Sequence, residues 1–267
     1  MIARTKKLPT PITTRRAPAV QGAAAFSKGI AVMQLISEFP EPPSINELME
    51  ASDLTRPTLY RLLKALESEG LVECTSKKTF KLGSRLIQLA SRAFEQNDIS
   101  RLSEPELKLL SGLTKETCHL AIRCGDEMVY IAKQDSPQTI RLHSSVGNRV
   151  PMHASAIGKC LMAHLPGEER EKLMANIELP QLTQFTITDS QKLRAQLEEI
   201  ARVGVATAHQ ETDVDVHCFG GVIFDRSGNP VGGMSVSVPL YRLSADPSRY
   251  IQPLMAACNR VTKALGG

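Results

Sequence analysis

With 267 residues, 42% of them hydrophobic and 22% charged, the chain is long enough for about two domains, each with its own core. That excludes a disulfide-stapled miniprotein, and the lack of any apolar run approaching the ~20 residues needed to cross a bilayer excludes a helical membrane protein. The net charge of +4 conceals an imbalance: residues 1–92 hold 14 Lys and Arg against 8 Asp and Glu, and residues 93–267 hold 18 against 20. A basic front end fits a polyanion such as nucleic acid or an anionic surface. A near-neutral remainder fits small-molecule binding or self-association.

The first 26 residues are rich in Pro, Thr and Ala and carry Arg4, Lys6, Lys7, Arg15 and Arg16 without an acid. They are expected to form a flexible basic arm (1–26), with Pro9, Pro11 and Pro18 interrupting any amphipathic targeting helix. Residues 27–82 read as helix, helix, turn, helix and hairpin. Ser27 is the expected N-cap of a helix reaching Phe39, with Ile30, Met33 and Ile36 or Leu35 inward, stopped by Pro40, Pro42 and Pro43. Ser44 and Glu47 form the pattern of a capping box for a short second helix. Thr55 opens a third helix with Pro57 in its first turn, and Gly70 ends it. Along that third helix Leu59, Leu62, Leu63 and Leu66 make one apolar stripe, while the other face carries Arg56, Thr58, Tyr60, Arg61 and Lys64.

Leu71–Cys74 and Thr79–Leu82 then read as two short strands around a basic turn containing Lys77 and Lys78, a wing on a helix-turn-helix. A linker helix is expected over 83–98 and a separate domain over 99–267. There, helical patterns fill about 101–116, 155–165, 167–177, 189–203 and 247–265. Strand patterns cover His119–Arg123, Met128–Lys133, Thr139–His143, Val205–His209, Val216–Phe224 and Val231–Val238, the last two forming a hairpin. The fold class is therefore α+β.

The third helix has the composition to enter a major groove. Arg can pair with guanine, Thr can touch a thymine methyl, Lys and Tyr can reach phosphates, and Lys77 and Lys78 would meet the flanking backbone. Any one of these charges could equally be a solvated helix face. Helix, capped turn, helix and basic wing together point to double-stranded DNA.

Arg56–Glu73, followed by Phe80–Gly83, resembles the winged helix-turn-helix of the IclR-type bacterial transcriptional regulators. Four later segments, Val150–Lys159, Gln184–Asp189, Val216–Asp225 and Gly233–Pro239, are similar to that family's further blocks in the same order. The resemblance implies an N-terminal winged helix-turn-helix and a C-terminal GAF-like effector domain with a mainly antiparallel sheet. It also implies a repressor whose hold on operator DNA is controlled by a small carboxylate or aromatic acid, acting in the cytoplasm as a homodimer or dimer of dimers, with no membrane. By the same resemblance Ala156 and Ile157 offer backbone N–H groups to the ligand's carboxylate, while Val216, Cys218, Ser235 and Ser237 face it. At a helix start capped by Ser155 the unpaired N–H groups favour an anion. One departure stands out: some members carry an acid about ten positions before the strand cysteine, where this chain has Ala208 and His209. His209 reads equally as a donor to an acidic effector or as a strand-end histidine in water.

Enzyme motifs fare poorly. Gly158-Lys159 lacks the glycine and the Ser/Thr of a phosphate-binding loop, and no G-x-S-x-G, H-E-x-x-H or G-x-G-x-x-G occurs. The six cysteines, at 74, 118, 124, 160, 218 and 258, form no C-x-x-C pair or zinc-finger spacing, so reduced thiols, no metal and no cofactor are expected. The alternatives are a sensor or scaffold with a basic interaction module, and a thiol enzyme pairing Cys218 with His153 or His209.

Overall fold

The computed structural model describes residues 23–95, 98–139, 142 and 144–267; the basic arm's charged residues lie outside them. The chain divides into two compact units, Met1–Gln96 and Asn97–Gly267.

In the first unit α1 (Ala24–Glu38), α2 (Ile45–Glu50) and α3 (Arg56–Ser68) are followed by β1 (Val72–Cys74), β2 (Phe80–Leu82) and α4 (Ser84–Glu95). α1 begins three residues before Ser27, which is therefore inside the helix and not its cap. Its inward face is Gly29, Val32, Met33 and Ile36, and Ile30 is turned outward. The Ser44–Glu47 capping box is fully formed, the Ser44 N–H donating to Glu47 Oε2 at 2.8 Å. α3 ends as a Schellman turn: Leu71 N–H reaches Leu66 O at 2.9 Å and Gly70 N–H reaches Glu67 O at 3.0 Å. Gly70 sits at φ +67, which explains a glycine there. Leu59, Leu62, Leu63 and Leu66 join Val32, Ile36, Leu48, Val72 and Phe80 in one core. The wing is clamped from a side that local pattern does not reveal: Phe80 N–H donates to Pro43 O at 2.8 Å, and Ser44 bridges Thr79.

In the second unit come α5 (Asp98–Thr114), β3 (Thr117–Cys124), β4 (Glu127–Gln134), β5 (Arg149–Pro151), α6 (Ala156–His164), α7 (Gly167–Asn176), α8 (Ser190–Val203), β6 (Ala206–His209), β7 (Val216–Phe224), β8 (Pro230–Pro239) and α9 (Ser248–Ala264). The six strands form one sheet in the order β5-β4-β3-β8-β7-β6, every neighbouring pair antiparallel. Strand alternation separates its faces. Leu120, Phe219, Ile223, Met234, Val236 and Val238 share a core with residues of α5 and α9. The opposite face lies under α6, whose Ile157 and Leu161 pack with Ala121, Met128, Val222 and residues of α7 and α8. The expected strand at Thr139–His143 falls partly outside the described residues, and Thr139 and Leu142 belong to no strand. The strand that borders β4 is instead β5, hidden from pattern reading because it is three residues long and ends in proline.

Candidate functional site

Two surfaces gather the expected residues, one in each unit. In the first, α3 and the wing enclose a groove of about 500 Å³ lined by Arg56, Tyr60, Lys64, Glu67, Lys77 and Lys78, among others. Arg56, Tyr60 and Lys64 are four residues apart, so they stack along one helix face. The Arg56 guanidinium lies 5.9 Å from the centre of the Tyr60 ring. The turn presenting Lys77 and Lys78 is closed by Thr75 N–H donating to Thr79 O and by Lys78, at φ +58, donating to Thr75 O. Thr58 and Arg61 are not part of that lining. Arg61 is exposed, and Thr58 is half-buried with its hydroxyl 3.0 Å from that of Thr55. Sequence reading missed that Lys64 is held by Glu67 at 2.8 Å, a bond that keeps its ammonium above the usual lysine range. Both side chains are solvated, so a phosphate can compete for Lys64.

In the second unit the site is built on small residues. Ser155 is the N-cap of α6 and its Oγ accepts from Gly158 N–H at 3.2 Å, leaving the Ala156 and Ile157 N–H groups without an intrahelical partner. This helix start rests on the sheet at Gly220: a Cβ there would stand 2.5 Å from Ile157 N, and one at Gly233 would stand 3.2 Å from the Ile157 side chain. Any larger residue at Gly220 would push the anion-seeking end of the helix off the sheet. Beside it, cross-strand register sets out two rows on the same face. Gly220 is opposite Ser235, which is opposite His119; Cys218 is opposite Ser237, which is opposite Thr117. Ser235 and Ser237 are buried, Cys218 Sγ donates to Ser237 Oγ at 3.3 Å, and Val216 is half-buried at the strand end opposite Pro239. Five of the six expected residues, Ala156, Ile157, Ser235, Ser237 and Cys218, thus lie in or next to the Gly220 row. Ser237 extends the floor and Val216 marks its rim.

Three features of this floor were not anticipated from the sequence. Lys159, one turn into α6, is fully buried and pairs with Glu211 at 2.6 Å. Burial pulls the lysine down and pushes the glutamate up, while their mutual attraction opposes both shifts. Thr186 and Thr183 donate to the carbonyls of Glu211 and Gln210, which ties the Gln184–Asp189 block to this ion pair. His119 completes one row, and its ring stacks on Tyr130 with centroids 4.3 Å apart. A sequence signal existed only for Lys159, in the failed phosphate-loop motif.

A thiol chemistry finds little support. Burial pushes the Cys218 thiol up to about 11, so it stays protonated at neutral pH. His153 Nε2 donates to Pro180 O instead, and His209 Nδ1 lies 3.1 Å from His217 Nδ1. His209 therefore meets a second histidine at the sheet edge, an arrangement that neither expected role described. All six cysteines are unpaired, and among the described residues no group of three or more His, Cys, Asp or Glu is placed to hold a metal. Among the described residues no helix is long and apolar enough to cross a membrane.

Comparison with known proteins gives a consistent result. Residues 91–263 match the family model for the bacterial transcriptional regulator IclR C-terminal domain, and residues 25–75 match the IclR helix-turn-helix domain. The HTH-type transcriptional regulator KdgR of Dickeya chrysanthemi is 32% identical over 90% of this chain and 79% of its own. The HTH-type transcriptional repressor AllR of Klebsiella pneumoniae is 29% identical over 93% and 92%. Among solved structures, the Thermotoga maritima IclR superposes with a TM-score of 0.74 at 28% identity, covering 91% of this chain and 98% of that one.

Proposed function

The chain belongs to the IclR family of bacterial transcriptional regulators and is a DNA-binding regulator, not an enzyme; from that premise we propose that it is a cytoplasmic repressor released from its operator by a small carboxylate. In this reading Arg56, Thr58, Tyr60 and Arg61 of α3 meet base edges and sugar-phosphate, and Lys64, Lys77 and Lys78 meet flanking phosphates. The effector's carboxylate sits on the Ala156 and Ile157 N–H groups, and its body lies over Ser235, Ser237 and Cys218 toward Val216. The observation that carries this reading is the start of α6, two N–H groups with no intrahelical partner set directly on a glycine beside a buried polar floor.

Homodimerisation, or pairing of dimers, is part of the same proposal. It presents two recognition helices to a pseudo-palindromic site, and α4 leaves Ile87 and Leu89 exposed for a partner chain, at 70% and 55%. The connector helix around 84–94 is the proposed transmitter between effector and DNA.

The test is a gel-shift titration with the intergenic DNA beside the gene, in the presence of a panel of small carboxylic acids. Ser235→Leu is expected to bind DNA as the wild type does and to lose release by any acid that frees the wild type. Normal release of Ser235→Leu would move the effector away from this floor.

A further inference from the structure

We infer that His119 is a specificity-determining residue of the effector site, and that it selects an aliphatic acid bearing a hydroxyl group. The inference rests on the carboxylate site proposed above and adds the chemistry of the ligand's far end. In the row across β7, β8 and β3, Gly220 lies under the start of α6, Ser235 is in the middle and His119 is at the far side. Two strand spacings separate the ends of this row by about 10 Å, a span that a short chain can bridge from the helix N–H groups past the Ser235 hydroxyl.

His119 is 2% exposed, its ring is held against Tyr130, and its Nε2 lies 2.8 Å from Ser144 Oγ. Its Nδ1 is buried and has no hydrogen-bond partner among the described residues. A buried polar atom without a partner is uncommon and costly. Burial, reinforced by Lys133 and opposed by Asp135, lowers the imidazole to about 4, so the ring is neutral at physiological pH. A neutral ring supplies no charge for the carboxylate, which leaves the anionic end to α6. In a neutral imidazole one nitrogen donates and the other accepts, so the sense of the Ser144 bond fixes the role of Nδ1. A hydroxyl serves either role, an unsubstituted methylene serves neither, and an aromatic ring edge would leave Nδ1 unpaired.

Full-length protein is titrated calorimetrically with D-gluconate and D-glycerate, with their unsubstituted counterparts hexanoate and propanoate, and with benzoate. The wild type is expected to favour at least one hydroxy acid over its counterpart by about tenfold or more. His119→Leu should erase that ratio by weakening the hydroxy acid alone, and Ser235→Leu should weaken both. His119→Gln, whose amide donates and accepts, should keep part of the preference. On isotope-labelled histidine, the Nδ1 resonance of wild-type His119 should move with the hydroxy acid and stay still with its counterpart. An unchanged ratio in His119→Leu, a static Nδ1 signal, or tighter binding of benzoate overturns the inference while leaving the carboxylate site standing if Ser235→Leu still fails to bind. If no acid binds the wild type, or Ser235→Leu binds as the wild type does, the carboxylate site itself is wrong and the inference falls with it.

Discussion

The buried Lys159–Glu211 pair shows how much can depend on one side chain. Both residues are removed from water, and Glu211 Oε2 has no hydrogen-bond partner among the described residues, so the carboxylate depends on the lysine beside it. Replacing a buried pair wholesale by apolar groups is often tolerated, but removing one partner leaves an uncompensated charge. Lys159→Met is therefore expected to lower the unfolding free energy of the second unit by about 3 to 5 kcal/mol, measured by urea denaturation. Adding Glu211→Leu should recover much of the loss; a single mutant with the wild-type midpoint would mean that the carboxylate finds another partner. Because Lys159 is one turn beyond the Ala156 and Ile157 N–H groups, the same bond also holds the helix start in place over Gly220.

At the scale of the element, α3 and the wing act as one part. The helix presents Arg56, Tyr60 and Lys64 along one face, and the turn brings Lys77 and Lys78 to the same groove because Phe80 and Thr79 are anchored to Pro43 and Ser44. Phosphate contacts release counterions, each steepening the dependence of log K on log salt by about 0.9. Replacing Lys77 and Lys78 together by Ala should flatten that slope by about 2 for each bound protomer and leave the preference for operator over unrelated DNA almost intact. Fluorescence anisotropy across a salt series reads both quantities, and an unaltered slope would take the wing off the phosphates.

For the molecule as a whole, the effector can shift DNA affinity only by its differential affinity for two arrangements of the chain, typically ~1 to 3 kcal/mol. The effector unit must therefore be stable enough to hold a defined site across the working pH. Two of its histidines, His119 and His217, are lowered to about 4 chiefly by burial. Between their ordinary value of 6.5 and 4, the unfolded chain holds protons that the native chain lacks, so stability falls as pH drops through this window and is fully present above it. For the buried His119 alone the loss is about 3 kcal/mol. Denaturation midpoints measured at about pH 7 and about pH 4.5 should differ accordingly, and His119→Gln should reduce the difference. Equal midpoints in the wild type would show that these rings accept protons in the folded state.

Much of this architecture was legible in the residues themselves, wherever the deciding interaction is local. The capping box at Ser44, the leucine stripe and glycine stop of α3, the wing, and the alternating serines of β8 are all set by neighbours within a few positions. The ordered motifs carried the family. The Ser27 cap went astray because the helix extends backwards through Ala24 to Phe26 without a capping residue to announce it, and Ile30 turns outward because the inward face is Gly29, Val32, Met33 and Ile36. Only the tertiary structure placed His119 beside Ser235, Lys159 against Glu211 and the start of α6 on Gly220. Those partners are 116, 52 and 64 residues apart in sequence, and no period in a chain encodes which distant strand or helix will close against it. Local order follows from side chains that repeat every two or every three to four positions, whereas a site assembled across β7, β8, β3 and α6 exists only after the sheet has chosen its strand order.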